Sequence, residues 1–232
     1  MGSGCDGQRP SPDEPGDGPA QPAAECPGAT AADLAREYHP RLLRGRVLAP
    51  SGQLSLNTPI FEQLDGWLVG TAHAAPLEDE QPVGGVRVFL YRVGPAGEPS
   101  GAPLRQTTTD ANGEWCMKLP EGVEFGADLV AQAKAGQTRL RRSVVSEFAT
   151  DIYSASEALT QLLAQRDVDF TKISTETYFN MESIAATAID LLEPVELAET
   201  DGVEAAVRKI RDVLEKDERL MEKLQVLQRV RE

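Results

Sequence analysis

Seven residues, Thr109-Asp110-Ala111-Asn112-Gly113-Glu114-Trp115, separate two strand-like runs at 104–108 and 115–119. Asp and Asn side chains bond the backbone just ahead of them, and glycine accepts positive φ, so the chain can reverse here at little cost. The expectation is a β-hairpin, and with it an antiparallel β domain. The strongest strand pattern lies upstream in Val86-Arg87-Val88-Phe89-Leu90-Tyr91, whose β-branched and aromatic side chains suit a pleated surface. Val86, Val88 and Leu90 share one face, and Phe89 and Tyr91 the other. With both faces apolar, this is expected to be a central strand, covered on both sides or meeting a helical tail with its second face. Further strands are expected at 41–48, 67–74, 127–133 and 140–148, after a short helical turn at 31–38. An irregular stretch (Asn57-Thr58-Pro59, Leu64-Asp65-Gly66), an acidic loop at 77–82 and a Gly/Pro loop at 94–101 punctuate them. That spacing suits a β-sandwich over residues 31–150.

From Asp151 the apolar period lengthens to that of a helix. Ser154-Ala155-Ser156-Glu157 reads as a capping box, with Ser154 as N-cap, ahead of the stripe Ala158, Leu159, Leu162, Leu163. A second helix is expected at 176–192, with Met181, Ile184, Ala185, Ala188, Ile189 and Leu192 on one face. A third is expected at 201–232, opened by Asp201-Gly202-Val203-Glu204 and striped by Val203, Val207, Ile210, Leu214, Met221, Leu224 and Leu227. Glu204/Arg208, Asp212/Lys216 and Glu215/Arg219 stand at i,i+4 in the favourable order. Asp217 interrupts the stripe, which argues against a long coiled coil. The fold class is therefore α+β: an antiparallel β-sandwich followed by C-terminal helices over 151–232, packing on the sandwich or binding a partner.

Residues 1–30 differ in kind. Twelve of the thirty are Gly or Pro, too poor in apolar area to offset the entropy of ordering, so an extended tether is expected. The net charge of −14 works against nucleic-acid binding and gives no general pull toward anionic lipid. In the last segment eight acidic and eight basic residues cancel, so the whole excess lies in residues 1–200. No apolar run reaches transmembrane length and no signal-peptide core precedes Cys5, which reads either as a cytoplasmic start at Met1 or as a chain whose signal has been removed. The cysteines are Cys5, Cys26 and Cys116, an odd number. With Cys5 set aside for a lipid, Cys26 and Cys116 are free to pair in an oxidising compartment; the alternative is three unrelated thiols with Cys116 buried in a strand.

Gly4-Cys5-Asp6 followed by a Pro/Gly-rich tail resembles the mature N-terminus of a bacterial lipoprotein, in which the cysteine is acylated and the tail holds a folded domain off the membrane. Val83-Gly84-Gly85-Val86-Arg87-Val88-Phe89-Leu90, Gln106-Thr107-Thr108-Thr109-Asp110-Ala111-Asn112-Gly113-Glu114-Trp115 and Leu119-Pro120-Glu121-Gly122 resemble the carboxypeptidase regulatory-like domain, a prealbumin-like β-sandwich, over residues 67–148. The resemblance puts Asp110 and Gly113 in the family's turn and Trp115 at the core aromatic after it. The family's usual closing strand is replaced here by Gly122-Val123-Glu124-Phe125-Gly126. It implies a non-catalytic module that supports folding, spacing or binding in extracytoplasmic proteins.

Motifs that would carry chemistry are sparse. Gly2-Ser3-Gly4-Cys5-Asp6-Gly7 fits a dinucleotide fingerprint only in letters, since no strand precedes it and no helix follows. His39, His73 and Cys116 have no zinc-site spacing. Asp110 and Asn112, with Glu78-Asp79-Glu80, supply oxygen ligands for Ca²⁺, although turn-making accounts for the first two. Trp67 and Trp115 are candidates for a sugar or peptide platform, or for core. The expected function is a non-enzymatic cell-envelope scaffold or interaction protein, lipid-anchored at Cys5, without cofactor or nucleic acid and with a protein partner met through the C-terminal helices. The alternative is a carbohydrate-, peptide- or Ca²⁺-binding module using the loops near Asp79, Asp110 and Trp67.

Overall fold

Arg87–Arg92, the run richest in β-branched and aromatic residues, sits inside the largest sheet. The computed structural model describes residues 26–35, 39–50, 80–148, 150–190 and 202–229. Among these the strands are β1 (Leu42–Arg46), β2 (Leu48–Pro50), β3 (Glu80–Pro82), β4 (Arg87–Arg92), β5 (Arg105–Thr108), β6 (Glu114–Lys118), β7 (Leu129–Ala135) and β8 (Thr138–Ser143). The helices are α1 (Ala31–Leu34), α2 (Ser154–Gln165), α3 (Thr175–Asp190), α4 (Val203–Leu214) and α5 (Glu218–Arg229), with a 3-10 turn at Phe170–Lys172. All strand ladders are antiparallel and the class is α+β. They fall into a four-stranded sheet, β5-β4-β7-β8, and two ladders, β1-β6 and β2-β3, which do not close on one another.

One apolar cluster binds strands to helices. Val88 and Leu90 of β4, Leu43 of β1 and Met117 of β6 are fully buried, and the same cluster continues through Ile152 to Leu159 and Leu162 of α2, Tyr178 and Met181 of α3, and Ile210 and Leu214 of α4. The helical stripe thus closes the core of the β region instead of forming a separate tail. Phe89 and Tyr91, on the other face of β4, are only half-buried, their rings 6.0 Å apart, so that face is not covered as the first is.

The turn at Asp110 corrects the hairpin expectation. β5 pairs with β4, and β6 pairs with β1 from Leu42↔Lys118 to Arg46↔Glu114, so the turn carries the chain from one sheet to another. Its side chains explain the switch. The Thr109 hydroxyl accepts from Val86 N at 2.9 Å and donates to Val83 O at 2.7 Å, ending the ladder with β4. Asp110 Oδ1 accepts from Asn112 N and Glu114 N, both at 2.9 Å, an Asx-type reversal. Gly113 has φ +70°, and its carbonyl accepts from Val47 N at 2.9 Å, which delivers β6 to β1.

Other boundaries move for local reasons. The run at 41–48 breaks at Val47, which bridges Ile152 in parallel, so two strands form. Glu80–Pro82, assigned to an acidic loop, is a strand paired with β2. Residues 127–133 and 140–148 become a hairpin through Gly136, φ +60°, and β8 stops at Ser143. Tyr153, not Ser154, is the N-cap of α2: its N–H donates to Ser156 Oγ at 3.1 Å, while Glu157 turns into the sheet. The single helix expected over 201–232 is two, because Asp217 Oδ1 accepts from Arg219 N and Leu220 N at 3.0 and 3.1 Å and so caps a new helix. Arg219 pairs with Asp217 at 2.8 Å and not with Glu215. The strand expected at 67–74 and the tether up to residue 25 lie outside the described residues.

A Cβ on Gly113 would stand 2.8 Å from Val83 N and 2.9 Å from Val47 O, whereas at Gly136 nothing lies within 4 Å. Gly136→Ala is expected to cost about 1 kcal/mol, the left-handed backbone penalty alone. Gly113→Ala should cost clearly more, because backbone must also move. Urea midpoints of the two variants measured together check the order.

Candidate functional site

Successive residues of a strand point to opposite faces, so the adjacent charges Arg141 and Arg142 of β8 leave the sheet in opposite directions. Arg141 forms a two-pronged pair with Glu157 of α2, Nε to Oε2 at 3.0 Å and Nη2 to Oε1 at 2.8 Å. Glu157 Oε1 also accepts from Gln161 Nε2 at 2.9 Å, and Gln161 Oε1 accepts from Arg211 of α4 at 3.2 Å. Arg142 meets Glu182 of α3 at 2.5 Å and donates to Asp151 O at 2.8 Å, its guanidinium 5.7 Å from the Tyr153 ring centroid. Both arginine side chains are nearly sealed, at 4% and 3% exposure.

Burial works against each charge. For Arg141, Glu157 and then Glu98 outweigh it, and for Arg142 Glu182 leads the groups that do, so both guanidiniums are held above their ordinary range. The same burial pushes the phenols of Tyr153 and Tyr178 well up. The start of α2 draws on β3: Ser154 N donates to Glu80 Oε1 at 2.8 Å, placing a carboxylate at the positive end of the helix. The Ser156 hydroxyl bonds Arg141 O at 2.9 Å, giving a carbonyl of β8 a partner from the helix.

A second cluster fixes the N-terminal segment. A disulfide joins Cys26 to Cys116 of β6, and Lys118 N donates to Pro27 O at 3.0 Å, laying the segment along that strand. Thr30 caps α1, and Asp33 Oδ2 accepts from Thr30 N and from Lys118 Nζ, both at 2.8 Å. Its other oxygen stands 3.1 Å from His39 Nε2. The bond from Lys118 leads the causes that hold the Asp33 carboxyl well below the usual aspartate range. A depressed carboxyl favours the fold at neutral pH, and that contribution is lost as pH falls through and below the ordinary aspartate range.

The residues singled out in the sequence fall in different places. Asp110, Asn112 and Gly113 make the sheet-to-sheet turn, and one Asp110 oxygen is already taken by two amides. Trp115 is 1% exposed, so it is core and not a platform. Cys116 belongs to the clasp, through its disulfide to Cys26. His39 pairs with Asp33, and among the described residues no group of three or more His, Cys, Asp or Glu is placed to hold a metal ion. Cys5, Trp67, His73, Glu78 and Asp79 lie outside the described residues. Arg141, Arg142, Glu182 and Lys118 were not singled out, and Glu80, expected among the Ca²⁺ ligands, instead accepts from Ser154 N. A signal existed for the first two: Arg139-Leu140-Arg141-Arg142-Ser143 puts charge on both faces of a strand, and buried charge requires partners.

No family model, no curated protein and no solved structure matches this chain.

Glu157→Ala strands the Arg141 charge in the interior and should lower stability by about 3–5 kcal/mol. The double variant Arg141→Met/Glu157→Leu removes both charges and should recover most of that loss. Denaturant unfolding of parent, single and double variants decides it.

Proposed function

We propose that this protein is a non-catalytic scaffold of the cell envelope, lipid-anchored at Cys5, with a β-sandwich of the carboxypeptidase regulatory-like kind standing on a Pro/Gly-rich tether. The observation that carries the proposal is the Cys26–Cys116 disulfide. Such bonds persist in oxidising compartments, which supports an extracytoplasmic site. The bond also gives the tether a covalent landing point on β6, the arrangement a held-off domain needs. Among the described residues no helix is long and apolar enough to cross a membrane, so attachment in this reading falls to the lipid.

The sandwich assignment is supported by the four-stranded sheet and the β1-β6 ladder facing a shared core, and by the turn that passes between them. The non-catalytic assignment is supported by the use made of the carboxylates: Asp110 builds a turn, Asp33 a clasp, and Glu157 and Glu182 hold helices. A protein partner would meet the charged outer faces of α4 and α5, because Val203, Val207, Ile210, Leu214, Leu220 and Leu224 are buried in the molecule's own core.

Mass spectrometry of the native product from membrane and soluble fractions tests the anchor. The expected result is a membrane-bound chain beginning at an acylated Cys5; an unmodified Cys5 removes the anchoring reading. Separately, the disulfide closes a loop spanning 90 residues of sequence separation. Reducing it should lower stability by about 4–5 kcal/mol by chain entropy, read as a drop in the denaturation midpoint.

A further inference from the structure

The register of the four-stranded sheet lines up cations from three strands. Arg87 of β4 lies opposite Lys134 of β7, and Lys134 lies opposite Arg139 of β8. Adjacent strands stand about 4.8 Å apart, so the row spans roughly 10 Å. All three side chains are on the face of Phe89 and Tyr91, and all three residues are exposed. One step along the strands the next row runs Gln106, Phe89, Gln132, Arg141. Its far end is closed, with Gln132 and Arg141 buried, while Gln106 is exposed and Phe89 half-exposed. The Arg87 guanidinium lies 5.8 Å from the Phe89 ring centroid, a cation–π contact that holds the arginine over the ring.

Few anions reach this face. Glu98, from the β4–β5 loop, approaches Arg139 at 3.6 Å and Arg141 at 3.7 Å, with its own side chain 59% exposed. No ion pair engages Arg87 or Lys134 among the described residues. In a chain of net charge −14 this is a local reversal of sign. At physiological salt charges act over about 8 Å, so a ligand on the row feels the row more than the whole molecule.

We propose that this face binds a short acidic saccharide, its carboxylates on Arg87, Lys134 and Arg139 and its hydroxyl groups on Gln106. Guanidinium groups match carboxylates in two-pronged geometry. The Gln106 amide carries both donors and an acceptor for hydroxyl groups. The roughly 10 Å row accommodates about two sugar rings, which sets the ligand size.

Isothermal titration of the purified, oxidised full chain with digalacturonate tests this, with neutral maltose as the control. The expected result is binding of the acidic sugar only, weakening as salt is raised. Lys134→Ala and Arg139→Ala should each weaken it roughly tenfold, the loss of one charge-assisted contact. Gln106→Ala should weaken it at high and low salt alike. Glu98→Gln should tighten binding, a gain that misfolding cannot imitate. Equal affinity for both sugars, no binding of either, capture of anionic lipid vesicles in place of the saccharide, or indifference to Lys134 and Arg139 together would overturn the proposal. None of these readouts depends on the state of Cys5, so the outcome is separable from that of the anchoring reading.

Discussion

Two consecutive arginines on one edge strand hold the two halves of this molecule together. Arg141 takes α2 through Glu157, Arg142 takes α3 through Glu182, and the strand between them belongs to the four-stranded sheet. A buried guanidinium without a carboxylate would cost several kcal/mol, so neither helix can leave without exposing a severe imbalance. Apolar packing alone would tolerate a range of helix positions; the two-pronged Arg141–Glu157 pair at 2.8–3.0 Å does not. The core supplies most of the favourable burial, and the arginines select which arrangement of helices on sheet receives it. Glu80 adds a third constraint by bringing β3 to the first turn of α2.

Much of the secondary structure was legible in the sequence, because alternation and helical stripes are local properties. The strand around Val88 and Leu90, the helix around Leu159 and the helix around Met181 were all read from side-chain spacing. What was not legible was pairing. Thr109 to Trp115 has the chemistry of a tight reversal, and a reversal serves a hairpin and a sheet-to-sheet crossing equally well. The choice between them is made by Val47 and Val83, remote in sequence, which meet Gly113 and Thr109. Glu157 shows the same limit: three residues after Ser154 it fits a capping box, and only the presence of Arg141 across the interface reveals its actual use. Asp217 interrupts the apolar stripe, and the same carboxylate caps the next helix.

The N-terminal clasp works differently from the arginine pair. Its ion pair, Asp33 with Lys118, is partly open to water and contributes modestly, while the sulfur–sulfur bond beside it is indifferent to screening. The short segment from Cys26 to Thr30 therefore holds its place on β6 even where salt weakens its charges.

That bond also determines how the molecule would bear tension. A pull arriving along the chain at Cys26 crosses directly to Cys116 and continues from there, so the polypeptide between them, β1 through β5 included, carries no load while the sulfurs stay joined. Stretching would be resisted first by β6 and the elements after it, and the protected stretch would yield its length only to a reductant.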